Sequence, residues 1–321
     1  MLNKPKHTAI LLFALLGTIV GYKYFNSGIT IAQINFDIDK NVTIEKPLVF
    51  PIKILIPRDV RIGGYFEFLD SLVTHYDPQV SYSLTEHILV RANPWIIDTL
   101  VNTDYYHMMA HDSFVYDQRK LVVLQKGTSI IIPDSLKAET LIREMVTTTI
   151  DINIPEFKLR IFDGNKKLYE FPVRVGKNGT QFLEATNRLT DLRTKEGAGI
   201  IVAHHKSPVF YNPATNERYK FTKRDDGKIT LMPRIPSMET KINGVRNGQL
   251  IHATTNPKTL EKAYSHGCIG TKEGDTWVIY YYAPVGTAIN IRYALDIHEN
   301  QEDQRILNDI YERIPGSETI K

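Results

Sequence analysis

Two histidines and the only cysteine of the sequence, His252, His266 and Cys268, lie within 16 residues of one another. They sit in two short segments, Leu250-Ile-His-Ala-Thr-Thr255 and Tyr264-Ser-His-Gly-Cys-Ile-Gly-Thr271. The thiolate is the nucleophile in cysteine catalysis, and near neutral pH it needs a base or a cation beside it. Gly267 lets the backbone approach a substrate carbonyl with no side chain in the way. Consecutive N–H groups around Gly267 and Cys268 could hold a developing oxyanion. Thr271 to Tyr282 reads as a capped helix starting just after Cys268, where its dipole would favour the thiolate. The same three side chains could instead ligate zinc as a His2Cys set, although His-Gly-Cys is unlike ordinary zinc-ligand spacing.

Other chemistry-bearing residues read more simply. His107-Met-Met-Ala-His111 has the spacing of a helical histidine pair but carries Met, not Glu, at position 108, so it reads as structural. His204-His205 reads as strand-end packing and Tyr280-Tyr-Tyr282 as core and helix surface.

Elements must bring the two segments together. The 321 residues suggest about two domains, at roughly 150 residues each. With 42% hydrophobic residues the chain can bury a sizeable core, and its net charge of +3 is too mild for a nucleic-acid protein. A lone cysteine excludes a disulfide framework and a cysteine-rich zinc module. Helical spacing is expected over 62–76 and 93–101, and a short helix over 136–145. Leu121 to Pro133 reads as two apolar runs joined at Lys126-Gly127, its end like part of a LysM-type glycan-binding module. From about residue 150 the chain turns β-rich, beginning with a hairpin around Asp163-Gly164-Asn165. Further strands are expected over 199–203, 228–231, 249–253 and 286–293. Ile306, Leu307 and Ile310 suggest one closing helix in the charged tail.

Ser265-His-Gly-Cys-Ile269, preceded by a strand ending Ile251-His252 and followed by a helix and a Gly-Thr-x-apolar strand, resembles the L,D-transpeptidase (YkuD-type) catalytic domain. The resemblance reaches back to the hairpin Leu159–Gly176 and takes in Thr194-Lys-Glu-Gly197. It implies an α+β chain: a mostly β, mixed-sheet catalytic domain of β-sandwich type over 150–295, preceded by a smaller α+β domain over 47–149. It also implies Cys268 as nucleophile, His252 as general base oriented by the carbonyl of Ala253, and His266 and Gly267 shaping the oxyanion pocket. Ser265, Gly270, Thr271 and Ala253 would line the substrate groove. The implied partners are peptidoglycan stem peptides, and no metal or nucleotide is required. The family usually carries Arg or Asn where this chain has Gly270, so a substrate carboxylate would have to meet Arg234, Arg246 or Lys258 instead. A hydrolase of the same fold and a non-catalytic wall-binding module are the alternatives.

Lys4 and Lys6 precede an uncharged run from His7 to Tyr22. That reads as an export signal, kept as a membrane anchor over residues 1–25 because no small-x-small cleavage site follows. A linker over 26–46 would then place the catalytic domain in the periplasm or extracytoplasmic space, with 296–321 as a charged tail; a secreted form is the other outcome.

Overall fold

Runs of β-branched residues after residue 147 alternate inward and outward, the pattern of half-buried strands. The computed structural model describes residues 50–298 and 304–314; the expected anchor over 1–25 and linker over 26–46 lie outside them. Among the described residues, no helix is long and apolar enough to cross a membrane.

Among the described residues six helices, α1 (Tyr65–Tyr76), α2 (Glu86–Ala92), α3 (Trp95–Val101), α4 (Tyr105–Met109), α5 (Ser135–Thr147) and α6 (Glu273–Tyr282), accompany one large sheet. Its strands are β1 (Thr148–Asn153), β2 (Lys158–Asp163), β3 (Lys166–Pro172), β4 (Gly197–His205), β5 (Ser237–Ile242), β6 (Val245–Ala253), β7 (Ile269–Thr271) and β8 (Ala288–Arg292). Their order is β7-β6-β5-β4-β8-β1-β2-β3, with β6/β7 and β8/β1 parallel and the other pairs antiparallel. The sheet is therefore mixed, as expected, but it is one continuous sheet rather than the two stacked sheets of a sandwich. Strand β8 joins the halves: it pairs with β4 on one side and with β1 on the other.

The hairpin turn falls where the sequence places it, at Gly164-Asn165 between β2 and β3, with Gly164 at φ +54°. Helix α1 follows a short 3-10 turn, and α5 starts from an Asp134 cap whose carboxylate accepts from Lys137 N. Over the described residues 304–314 the tail forms no closing helix. Gln304–Ile306 instead pairs as a strand with Asp296–His298, because Leu307 N bonds back to Leu295 O and turns the chain across the domain.

The described residues 50–298 and 304–314 lie in one compact unit. Tyr65 and Phe66 on α1 pack on Trp277 of α6, with ring centroids 6.1 and 5.9 Å apart, and the Tyr65 hydroxyl lies 2.7 Å from that of Tyr281. Trp277, Tyr280 and Tyr281 are wholly buried, so the tyrosine run is core at its first two positions. Residues on both sides of position 150 thus share one apolar core, with α6 between the first region's helices and the sheet.

His204 faces this core and its Nε2–H donates to Ala283 O at 2.8 Å, while the exposed His205 lies 3.6 Å from Glu239. The His204 ring stacks on His87, 5.1 Å away, whose Nε2–H donates to Tyr280 O. Burial is the first cause that pushes both below the ordinary histidine value of about 6.5, to about 3 for His87 and about 4 for His204. A depressed histidine binds fewer protons folded than unfolded, so its stabilisation is complete above pH 6.5 and lost as pH falls toward 3–4. Urea midpoints are expected to drop steeply over that window, and less steeply in His204→Gln.

Candidate active site

A short parallel ribbon carries the loop that presents the thiol. Val175–Gly176 pairs with Ala263–Ser265, and Lys177 N donates to Ser265 O at 3.0 Å. Gly176 has to be glycine: a Cβ there would lie 2.0 Å from Leu192 O. Thr194 ties the layers together, its Oγ1 accepting from Gly176 N and donating to Gly267 O at 3.0 Å. Ser265 Oγ donates to Cys268 O at 2.6 Å and accepts from Gly267 N at 3.2 Å. The Gly267 N–H, expected as an oxyanion donor, is thus engaged inside the loop, and Ser265 is a staple of that loop rather than a groove residue.

Strand register sets the position of His252. His252 on β6 pairs with Gly270 on β7. Paired residues of parallel strands project to the same face, so position 270 and His252 look the same way; Cys268 lies just before β7, beside Leu250 N–H and in the field of Arg174. The His252 Nδ1–H donates to Ala253 O at 2.9 Å, the contact expected of that carbonyl. This leaves Nε2 carrying the lone pair. Burial, then the charge of Arg174, lowers the His252 pKa to about 4, so the ring is neutral at physiological pH. Cys268 is half-buried, and burial raises its pKa while Leu250 N–H and Arg174 oppose the rise. Among the described residues no hydrogen bond joins the thiol to either imidazole. Catalytic hydrogen bonds are often long without substrate. His266 is half-buried, its pKa lowered by burial and then by Lys177 and Arg174.

Several expectations change. Thr271 is wholly buried and its hydroxyl pairs with Thr276 at 2.6 Å, so it anchors α6 to β7 and cannot line a groove. The helix begins at Glu273, after β7 has completed its pairing with β6, so a strand separates its dipole from Cys268. No three His, Cys, Asp or Glu side chains converge on a metal-sized site among the described residues. Arg246 is engaged by Glu239 and Lys258 by Asp225 O. Arg234 donates to Gly63 O but also lines a cavity of about 320 Å³ with Arg218, Lys220 and Phe210. Phe210 stands 5.7 Å from the His252 ring, so the cavity and the catalytic face share a wall.

Two residues were missed from sequence. Tyr311 in the tail donates to Gly176 O at 2.8 Å and accepts from Thr194 N, bracing the ribbon beneath the thiol. Arg174 exchanges backbone hydrogen bonds with Gly270 and is the cation felt by Cys268, His252 and His266 alike. A glycine where a side chain is usual was the available signal for Arg174; a lone tail tyrosine gave none.

Residues 147–291 match the family model of the L,D-transpeptidase catalytic domain, YkuD. The probable L,D-transpeptidase ErfK/SrfK of Salmonella typhimurium is 23% identical over 248 residues, 72% of this chain and 74% of that protein. Its namesake in Escherichia coli is 24% identical over 170 residues, and the match spans only half of that relative's length. Among solved structures, an L,D-transpeptidase from Xylanimonas cellulosilytica is 12% identical with a TM-score of 0.34, over 74% of this chain and 97% of that one. One from Mycobacterium smegmatis is 15% identical with a TM-score of 0.32, over 46% of this chain and 58% of that one. Residues 147–291, which hold His252 and Cys268, are thus similar to the L,D-transpeptidase catalytic domain whose family model they match.

Proposed function

We propose that the protein is a cysteine L,D-transpeptidase that transfers the acyl group of a peptidoglycan tetrapeptide stem through a Cys268 thioester to an amine. One observation carries the reading: Ala253 O holds Nδ1–H of His252 and leaves Nε2 free as a base, while Cys268 leads into β7, the strand paired with that of His252. His252 takes the Sγ proton as sulfur attacks the carbonyl on the stem's L-centre. The tetrahedral oxyanion collapses, the C–N bond to the terminal D-amino acid breaks, and the departing amine takes the proton from His252. A second stem's amine then attacks the thioester, its proton passing through His252 to sulfur as the C–S bond breaks, giving a 3–3 cross-link and the free Cys268 thiol, or a protein's lysine does so and the protein is anchored to the wall.

The cavity beside Phe210 supports a peptide carrying carboxylates. Arg218, Lys220 and Arg234 line it, no acidic side chain does, and none of the three forms an ion pair among the described residues. Residues 1–25 anchor the chain in the membrane, and the catalytic domain works in the periplasm or extracytoplasmic space. Residues 47–149 hold α6 and position the catalytic domain against its substrate.

The full chain is the proper reagent, because α1 packs on α6. Incubated in detergent with tetrapeptide-stem muropeptides, it is expected to release the terminal D-amino acid and form cross-linked dimers, read by mass spectrometry. Trimmed monomers without dimers would make it a hydrolase, and retention on insoluble wall without turnover would make it a binding module.

A further inference from the structure

Arg174 and Gly270 are joined in an unusual way. Arg174 N donates to Gly270 O at 2.9 Å and Gly270 N to Arg174 O at 3.0 Å, which fixes the two backbones side by side. From there the arginine side chain runs over the glycine. A Cβ at position 270 would lie 2.5 Å from Arg174 Nε, 2.7 Å from Cγ and 3.0 Å from Cδ, closer than such atoms can approach. Position 270 points to the face of His252, and Arg174 is a charge that acts on both His252 and Cys268, so Arg174 fills, beside them, the space that a side chain at 270 would take.

The guanidinium is poorly served there. Nη1 donates to Thr259 Oγ1 at 3.2 Å, Nε is buried without a partner, and no carboxylate pairs with Arg174 among the described residues. An enclosed cation lacking a counter-charge is costly, and burial accordingly depresses its own pKa. Such a group is retained where negative charge forms during function. The sulfur of Cys268 and the carbonyl it attacks are where that charge forms in the reaction proposed above.

We propose that Arg174, laid across Gly270, is the resident cation of the Cys268 site and holds the negative charge that passes from sulfur to the carbonyl oxygen during acyl transfer. Arg174 keeps all its protons throughout. The Sγ proton goes to His252 Nε2, the S–C bond forms, and the carbonyl π pair moves to oxygen within reach of the guanidinium. The assignment rests on Cys268 being the nucleophile, yet its test does not require peptidoglycan turnover.

Cys268 is the only thiol in the chain, so its alkylation by neutral iodoacetamide and by anionic iodoacetate can be followed against pH in the intact protein. Arg174→Met is expected to raise the apparent ionisation of the thiol by about one unit, slowing alkylation about tenfold at a fixed pH below it. The iodoacetate-to-iodoacetamide rate ratio should fall as well, which loss of packing alone would not cause. Arg174→Lys, which keeps the charge without the fork, should lie between Arg174→Met and the parent. The exchanged pair Arg174→Gly with Gly270→Arg returns a guanidinium to the same space and should recover the parent profile to within about threefold. A folded Arg174→Met protein with an unmoved pH profile and rate ratio would overturn the assignment. If that variant does not fold, Arg174→Gln is read in its place with the same two outcomes. Alkylation that responds as stated in a protein that turns over no muropeptide would sink the transpeptidase reading and leave the charge assignment standing.

Discussion

Cys268→Ala is expected to abolish release of the terminal D-amino acid and all cross-linking, a loss of at least about 10⁴-fold, the scale seen when a nucleophile is deleted. Half-buried and held in its loop through its backbone carbonyl, which accepts from Ser265, Cys268 can lose its sulfur at little structural cost. The melting temperature should therefore stay within a few degrees. The parent protein exposed to a carbapenem should gain the mass of the opened ring, and Cys268→Ala should not. Full turnover by the alanine variant would end the cysteine mechanism. The pH profile adds a separate check. His252 is neutral until about pH 4, and a general base is lost only when it is protonated. Activity of the parent should thus persist through mildly acidic buffers and fall as pH drops through about 4. An acid limb at the ordinary histidine value would instead place the base in a more exposed ring.

What the sequence made legible were the features that depend on near neighbours. The hairpin at Gly164-Asn165, the strand ending at His252 and the Ser265-to-Cys268 run each announce themselves within a few residues, because turn chemistry and strand alternation are local. The mixed sheet was readable as a class, but its joining by β8 was not, since that pairing links residues 149–153 with residues 288–292. Failures cluster where a distant partner decides. Thr271 looked like a groove residue until Thr276 claimed its hydroxyl, and the helix expected from Thr271 forms but starts two residues later, at Glu273, because Thr271 is still paired with β6. Gly270 looked like a missing contact, whereas Arg174, nearly a hundred residues earlier, stands in its place. Ile306 and Ile310 suggested an amphipathic helix, but the residue that matters in the tail is Tyr311, seated between Gly176 and Thr194. Periodicity describes one face of one element; it carries no information on which far residue will cover that face.

The largest loss of stability is expected from Arg224→Met. Arg224 is buried at the start of α6, where Nη1 pairs with Glu273, Nε donates to Thr230 Oγ1 at 2.8 Å and Nη2 to Gln118 Oε1 at 3.1 Å. Its guanidinium also lies 4.3 Å from the centre of the Tyr105 ring. Glu273 Oε2 in turn accepts from Tyr105 N and Gln118 Nε2, so this one ion pair ties α4, the segment around Gln118 and α6 together. Removing the arginine strands a buried carboxylate, a change that costs about 3–5 kcal/mol, whereas replacing both partners with apolar or neutral groups costs far less. Arg224→Met with Glu273→Gln should therefore be more stable than Arg224→Met alone. The sign with pH follows from Glu273. Burial already raises its pKa despite Arg224, and without Arg224 the rise must be larger. A group whose folded pKa is raised is favourable while protonated and becomes a burden as pH climbs through that value. Arg224→Met should accordingly be closest to the parent near pH 5 and furthest from it near pH 8, read as urea midpoints at the two values. Since α6 is tethered to β7 through Thr271 and Thr276, the single variant should also lose acyl transfer at temperatures where the parent is still folded, and the double variant should regain it. Equal midpoints for the single and double variants at pH 8 would show that the stranded charge is not what the fold pays to avoid.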